Sequence, residues 1–316
     1  MYYACGQGLV SMSKKLLVIC GPTGVGKTKL AFRLARKFDG ELVSADSRQV
    51  YKGLSLVTGK DEIEGVKTWL VSVVDAGREF SVAHYSRLAW GAIEDIWGRG
   101  KLPILVGGTG FYIKAVVDGV ETLDIPPDKG LREAYKEKSL SELLEILKRC
   151  EPGTADLLNE SERKNKQRLI RRIEVGRWRI ENRGWTVGGY ARLDVKDVLF
   201  IGLKASREVL RERINRRVDE WMSRGAQKEI KSLIEGGVGW GSQVMTALGC
   251  RSFKDYFEGK ISREEAFERW KRADWQYAKR QMSWFARDER INWFDITDAK
   301  FPQNVYKMAQ KWYDIW

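Results

Sequence analysis

Short apolar runs alternate with amphipathic stretches through the first third of the chain. Leu16-Leu17-Val18-Ile19-Cys20 reads as a buried strand, and Lys29 to Arg36 as the helix that follows it. Glu41-Leu42-Val43-Ser44-Ala45 predicts a second strand and Leu70-Val71-Ser72-Val73-Val74 a third. Ser81 is placed to cap an amphipathic helix that runs to Trp97. Leu102-Pro103-Ile104-Leu105-Val106 is the fourth strand, followed by Gly107-Gly108-Thr109-Gly110. Strands joined by helical crossovers predict a parallel sheet covered on both faces, with ligands at the C-terminal strand ends. Asp46 and Thr109 fall at such ends.

The pattern changes near Gly119. Ile125-Pro126-Pro127-Asp128 is a loop signal, and from Leu131 to Trp185 the apolar spacing is helical, with Leu140, Leu143, Leu144 and Leu147 on one stripe. Strand pattern returns at Val198-Leu199-Phe200-Ile201-Gly202-Leu203, and the rest reads as helical, from Arg207 to Glu235 and from Arg263 to Phe285. The expected organisation is a core of residues 13–118 and 198–316 with a helical insertion at 119–197. Residues 1–12 read as a frayed extension, with Met12 a candidate start.

The turn after the first strand is the most specific local signal. Gly21-Pro22-Thr23-Gly24-Val25-Gly26-Lys27-Thr28 matches the phosphate-binding loop G-x-x-x-x-G-K-[ST] in its strand–loop–helix setting. Its glycines let backbone N–H groups close around phosphate oxygens. The helix N-terminus adds positive potential, Lys27 a point charge, and Thr28 an oxygen suited to Mg²⁺. The fold class expected is therefore α/β, a P-loop NTPase-like parallel sheet with flanking helices and an inserted helical domain. The loop implies a phosphorylated ligand but not the reaction performed on it.

Composition narrows the partner. Lys and Arg number 56 against 43 Asp and Glu, a formal charge of +13, which suits a polyanion. No apolar run approaches the ~20 residues of a membrane span. Cys5, Cys20, Cys150 and Cys250 form no C-x-x-C pair, so neither a zinc site nor a disulfide framework is indicated, and a cytoplasmic setting fits. His84 is the only histidine, which excludes a histidine-cluster metal site.

The basic charge is concentrated. From Arg163 to Arg183 nine basic residues face only Glu174 and Glu181. On a helix, Arg168, Arg171, Arg172 and Arg179 fall near one face, opposite Leu169, Ile173 and Ile180. A guanidinium face over an apolar one suits a phosphate backbone, with a solvated helix face as the plainer alternative. In Tyr277-Ala278-Lys279-Arg280-Gln281-Met282-Ser283-Trp284-Phe285-Ala286-Arg287, basic and aromatic residues interleave, as stacking on single-stranded RNA requires. At least one of Trp284 and Phe285 is expected in the core.

Seven stretches together resemble the tRNA dimethylallyltransferase family, the bacterial tRNA isopentenyltransferases. They are GPTGVGKT at 21–28, SADSRQVYKGL at 44–54, KLPILVGGTGFY at 101–112, NKQRLIRRIEV at 165–175, RINRRVDEWMSRGAQKEI at 213–230, TALGCRSFKDYFEGK at 246–260 and QYAKRQMSWF at 276–285. The resemblance implies Mg²⁺-dependent transfer of a dimethylallyl group from dimethylallyl diphosphate to tRNA. The acceptor is the exocyclic amine of the adenosine 3′ of the anticodon.

It further implies roles for individual residues. Asp46 is the base on the amine, and Ser47, Arg48 and Gln49 lie against the anticodon loop. Gly21, Pro22, Thr23, Gly24, Val25, Gly26, Lys27 and Thr28 hold the diphosphate, Thr28 with Mg²⁺. Arg217 serves the diphosphate leaving group. Thr109, Arg132, Gln167, Arg168, Leu169, Ile170 and Arg171 match tRNA-contacting positions. So do Thr246, Ala247, Leu248, Gly249, Cys250 and Arg251, and Lys279, Arg280, Gln281, Trp284 and Arg287. The partners implied are the tRNA anticodon stem-loop and dimethylallyl diphosphate, with no membrane, and the chain is expected to act as a monomer.

The chain departs from the family pattern at two places. Thr68-Trp69 stand where two histidines are usual, and Asp274-Trp275 where Thr-Arg is usual. Three rivals remain: a small-molecule kinase, an enzyme prenylating free adenine nucleotides, and a non-catalytic RNA-binding module. The fourth strand ends in Gly107-Gly108 without the acidic residue of a kinase-type Mg²⁺ strand, the basic insertion exceeds what AMP needs, and the P-loop is intact.

Overall fold

The computed structural model describes residues 14–60, 65–182, 193 and 197–314. The extension expected at 1–12 and the end of the basic stretch, Arg183 included, lie outside the described residues. The chain divides into two compact units, one running to Asp118 and resuming at Leu193, the other Gly119–Arg192.

In the first unit the order is β1 (Leu16–Cys20), α1 (Lys27–Lys37), β2 (Gly40–Ser44), β3 (Thr68–Trp69), α2 (Val82–Gly98), β4 (Leu102–Val106) and α3 (Gly110–Val117). The second unit then supplies α4 (Lys129–Tyr135), α5 (Leu140–Cys150), α6 (Thr154–Leu157), α7 (Glu160–Arg163) and α8 (Lys166–Glu181). The first unit resumes with β5 (Val198–Lys204), α9 (Arg207–Ser223), α10 (Ala226–Glu235), α11 (Leu248–Phe257), α12 (Arg263–Phe285), β6 (Ile291–Asp295) and α13 (Gln303–Tyr313).

The sheet is parallel, in the order β3-β2-β4-β1-β5-β6. Every residue of β1, β2 and β4 is buried, as expected of central strands covered on both faces. The pleat divides their side chains between two cores. Leu16 and Val18 meet Tyr85, Ile93 and Ile96 of α2, whereas Leu17 and Ile19 meet Leu30 and Leu34 of α1 and Val305 of α13. Central β1 pairs with β4 and β5 on either side, Leu17 opposite Ile104 and Leu199, which puts the loop after Cys20 at the middle of the C-terminal sheet edge.

Some expectations need correction. The third strand is not Leu70–Val74 but only Thr68–Trp69, paired with Leu42–Val43. Leu70 and Ser72 have positive φ and turn the chain out of the sheet, and Val74 keeps one isolated bridge to Tyr51. Leu70 and Val74 are buried while Ser72 and Val73 are exposed, so the apolar run has strand-like composition without strand geometry. The segment Arg207–Glu235 is two helices, broken at Gly225 with φ 97°. β6 and the helices α11 and α13 are elements that the apolar pattern does not predict. Within β6 only Ile291 is buried, so the apolar pattern is weak and pairing with β5 holds the strand.

The second unit is a small helical assembly rather than one long helical run. Leu143 and Leu147 of α5 pack against Leu169 and Ile173 of α8, all fully buried. The stops are chemical. Asp128, Ser139, Asn159 and Asn165 each accept a backbone N–H as N-cap, and Gly153 begins α6 with positive φ.

Candidate active site

The P-loop rises from buried β1 and closes over the first turn of α1. Gly21 has φ 134°, and a Cβ there would meet Leu203 O at 2.4 Å, so only glycine fits against the end of β5. Lys27 Nζ donates to Pro22 O at 2.8 Å across the loop. The loop is also held from α12. Gln281 Oε1 accepts the Thr23 N–H at 2.7 Å and its Nε2 donates to Gly108 O at 2.9 Å. Gly108 has no room for a side chain, since its Cβ would lie 2.1 Å from Gln281 Nε2.

The ends of β2 and β4 present Asp46 beside this loop. Asp46 Oδ1 accepts the N–H groups of Arg48 at 2.8 Å and Gln49 at 3.3 Å, which folds residues 46–49 into a tight turn. Thr109 stitches the turn to β4: its N–H donates to Ala45 O at 3.0 Å and its Oγ1 accepts the Ser47 N–H at 3.1 Å. Arg48 donates to Gln243 O at 3.1 Å. Gln49 is spent inside, accepting from Ser44 Oγ at 3.0 Å and donating to Gly59 O at 2.9 Å and Thr58 O at 3.2 Å.

Helix α9 lays arginines along the same opening. Arg217 Nη2 bonds Thr23 Oγ1 and lies 3.4 Å from Asp274 Oδ2, with its guanidinium 4.4 Å from the Trp221 ring centroid. One turn earlier, Arg213 Nε donates to Gly24 O at 2.8 Å. Sequence reasoning passed over Arg213, although its i−4 spacing from Arg217 was a usable signal. It also missed Glu229 of α10, whose carboxylate accepts the N–H groups of Ser55, Leu56 and Val57 at 3.1, 2.9 and 3.1 Å and fixes one wall.

These groups line one cavity of about 710 Å³ that includes Thr23, Lys27, Thr28, Asp46, Arg48, Arg213, Arg217, Asp274, Tyr277, Arg280 and Thr246–Leu248. Its field is cationic at the P-loop end. Burial, and then the nearby Arg217 charge, pulls the Lys27 ammonium down to about 8. Burial pushes the Tyr277 phenol up to about 12, with Asp46 adding to it. Among the described residues no group of three or more His, Cys, Asp or Glu side chains could hold a metal ion.

The residues that form this cavity fall within matches to known proteins. Residues 49–288 match the IPP transferase family model, and residues 14–72 match the isopentenyl transferase model. The tRNA dimethylallyltransferase of Geobacillus thermodenitrificans is 40% identical over 302 residues, covering 93% of this chain and 95% of the relative. The chain belongs to the tRNA dimethylallyltransferase family. The full-length tRNA isopentenylpyrophosphate transferase of Bacillus halodurans is similar in structure, with TM-score 0.70 and 35% identity over 94% of this chain and 95% of that one. A eukaryotic dimethylallyltransferase, described as acting on tRNA, has TM-score 0.77 and 29% identity over 94% of this chain and 78% of that one.

Not every position that the family resemblance marks for tRNA is free to meet it. Leu169 and Cys250 are 0% exposed and serve the cores of their units, so neither side chain can reach RNA. Gly249 and Ala247 are buried as well, and Ile170 nearly so. Gln281 is 4% exposed and acts as a loop clamp, with both polar ends bonded inside the protein. Thr246 and Leu248 are half-buried at the cavity rim, while Arg251, Lys279, Arg280, Trp284 and Arg287 are exposed. Phe285 is the core member of the Trp284–Phe285 pair.

In the helical unit, Gln167 and Arg168 are exposed, but other arginines of the basic face are engaged. Glu174, 3% exposed, receives Arg132 at 2.6 and 3.0 Å and Arg171 at 3.0 Å. Arg171 also donates to Thr122 O and Ile125 O at 2.9 and 2.8 Å. Arg172 pairs with Glu162 at 2.8 Å and Arg179 with Glu151 at 2.7 Å. The outward guanidinium face expected from local charge counting is thus partly neutralised by acids from other segments.

Proposed function

We propose that the cavity binds dimethylallyl diphosphate by its diphosphate and receives the exocyclic amine of the adenosine 3′ of a tRNA anticodon. The observation that carries this reading is the shared cavity. It sets Asp46, held in its turn by one carboxylate oxygen, in the same space as Lys27, Arg213 and Arg217 at the P-loop. Prenyl transfer asks for both ends: cations where the leaving group gathers charge, and a proton acceptor where the amine attacks.

The amine nitrogen attacks C1 of the dimethylallyl group as the C1–O bond breaks. The bonding pair leaves with the diphosphate, and the amine proton passes to Asp46. Lys27, Arg213 and Arg217, with the P-loop N–H groups, take up the charge on the departing diphosphate. Thr28, in the first turn of α1, is the residue to hold Mg²⁺ together with diphosphate oxygens and water. Mg²⁺ favours few protein oxygens and keeps several waters, so Thr28 would need to supply only one of its ligands. When bound it supplies further charge neutralisation.

The exposed Lys279 and Arg280 on α12 and Arg287 in the turn after it, and Gln167 and Arg168 in the insertion, are the residues to track the RNA backbone. Arg48 and Ser47, which line the cavity, are the residues to meet a base drawn out of the loop. No helix among the described residues is long and apolar enough to cross a membrane.

The test is direct. The protein is incubated with dimethylallyl diphosphate and Mg²⁺, and with unmodified tRNA, AMP or no acceptor. Nucleosides are then read by mass. One dimethylallyl group on tRNA adenosine, with AMP left unmodified, is expected. Transfer to AMP at the same rate would favour a free-nucleotide prenyltransferase, and ADP formation from ATP with an acceptor would favour a kinase.

A further inference from the structure

Asp274 stands where the family pattern usually has threonine, and it stands in the wall of the cavity. It is 5% exposed, on the face of α12 turned toward α9. Its Oδ2 lies 3.4 Å from Arg217 Nη2, a long contact, and it takes a hydrogen bond from Trp270 on its own helix. Arg217 is otherwise bonded to Thr23 of the P-loop, and its buried Nε has no hydrogen-bond partner among the described residues. The guanidinium that faces the expected diphosphate is therefore loosely joined to a carboxylate and still has a donor to offer.

A second acid in a diphosphate site is an electrostatic conflict. The other charged groups around the cavity are Asp46 and Arg48 after β2, Lys60 in the irregular segment beyond them, Lys27 and Lys29 from α1, Arg213 and Glu220 from α9 with Arg224 just past its end, and Arg280 from α12. A buried carboxylate left ionised as an incoming diphosphate takes over its arginine loses its counter-ion in a poorly solvated place. Neutralising it by proton uptake removes the penalty. Burial already raises the Asp274 carboxyl from its ordinary value, against the opposing pull of Arg217 and the Trp270 hydrogen bond, and Asp46 adds to the rise.

We propose that Asp274 is a positioning residue for Arg217 that couples donor binding to proton uptake. It is the guanidinium's counter-ion in the open cavity, and it accepts a proton from solvent when a diphosphate engages Arg217. This rests on the reading of the cavity as the diphosphate site. Its sign follows from linkage: a ligand that raises a carboxyl's pKa binds more weakly as pH rises through the range between the free and bound values. An asparagine or threonine at this position has no charge to neutralise and loses that dependence.

The experiment titrates the full chain with dimethylallyl S-thiolodiphosphate and Mg²⁺ by calorimetry, from about pH 5 to about pH 8, in buffers of different ionisation enthalpy. Wild type is compared with Asp274→Asn and Asp274→Thr. Protonation of the ligand and of Lys27 enters all three proteins alike and largely cancels in the ratio of dissociation constants. The ratio of wild type to Asp274→Asn is expected to climb with pH, with a limiting slope of about tenfold per pH unit, and wild type takes up more protons than either variant. A ratio constant across pH, with equal proton uptake, would reduce Asp274 to a structural partner and overturn the inference. Absence of binding by wild type would overturn the cavity reading itself. The threonine variant decides the matter should the asparagine variant fail to fold.

Discussion

Gln281 accepts the Thr23 N–H at 2.7 Å, a bond between residues 258 positions apart. Helix α12 thus fixes the shape of a loop that belongs to the first strand and helix of the chain. The same carboxamide grips Gly108 at the end of β4, so two strand ends are held by one buried side chain.

Gln281→Ala leaves a loop N–H and a carbonyl without their partner in a buried place. The expected loss of stability is about 1–3 kcal/mol, read as a lowered midpoint in urea. The KM for dimethylallyl diphosphate should rise as the loop loosens. A variant as stable as wild type with an unchanged KM would show that the clamp is dispensable.

Asp46→Asn retains an oxygen to accept the Arg48 and Gln49 N–H groups, so the turn should survive. Single-turnover transfer to tRNA should fall roughly 10²–10⁴-fold, the range of a general base, with donor binding preserved. A drop of less than about tenfold would remove Asp46 from that role.

Lys27 gives opposite signs for folding and for binding. Folding holds its ammonium down at about 8, below the ordinary lysine value, so the unfolded chain binds more protons between the two values. Its contribution to stability therefore rises with pH across that window. Donor affinity does the reverse, because the diphosphate needs the charged form, and it should weaken as pH climbs through about 8. Dissociation constants measured from about pH 7 to about pH 9.5 should show this fall in wild type, and Lys27→Ala should flatten it.

The two arginines Arg168 and Arg171 should part company. Arg168→Gln is expected to leave the melting curve in place and to lower the slope of log K for tRNA against log salt by about 0.7–0.9. Arg171→Gln breaks bonds to Glu174, Thr122 and Ile125, so its main effect should be destabilisation of the helical unit. Equal loss of salt slope from both would place Arg171 on the RNA after all.

What the sequence made legible was local. The P-loop could be read because strand, loop and helix are adjacent in the chain, and each constrains the others within about a dozen residues. Asp46 and Thr109 could be placed on one sheet edge from the alternation of strands and helices alone. Gln281 could not be read, because its partners lie at Thr23 and Gly108, and as a sequence it looked like one more polar residue in a basic stretch. The basic helix was read half correctly for a related reason. Counting charges along Arg163–Arg183 sees Glu174 but not Glu151, which reaches Arg179 from just past the end of α5. β6 escaped because Asn292, Trp293 and Phe294 present no clean period and are held chiefly by the neighbouring strand. Asp274 was visible as a departure, but only its 3.4 Å approach to Arg217 shows what the departure touches.

The wall held by Glu229 has a thermodynamic consequence. Residues 55–57 belong to no helix or strand, yet three successive N–H groups converge on one carboxylate. The next two carbonyls are tied by Gln49, and Lys60 reaches the Tyr51 carbonyl and Ser72 Oγ. The conformational freedom of this irregular segment, of order 1–2 kcal/mol per residue, is surrendered when the chain folds and not when a substrate arrives. Loosening the anchor should therefore appear as a less favourable entropy of ligand binding, even with every ligand-facing side chain unchanged.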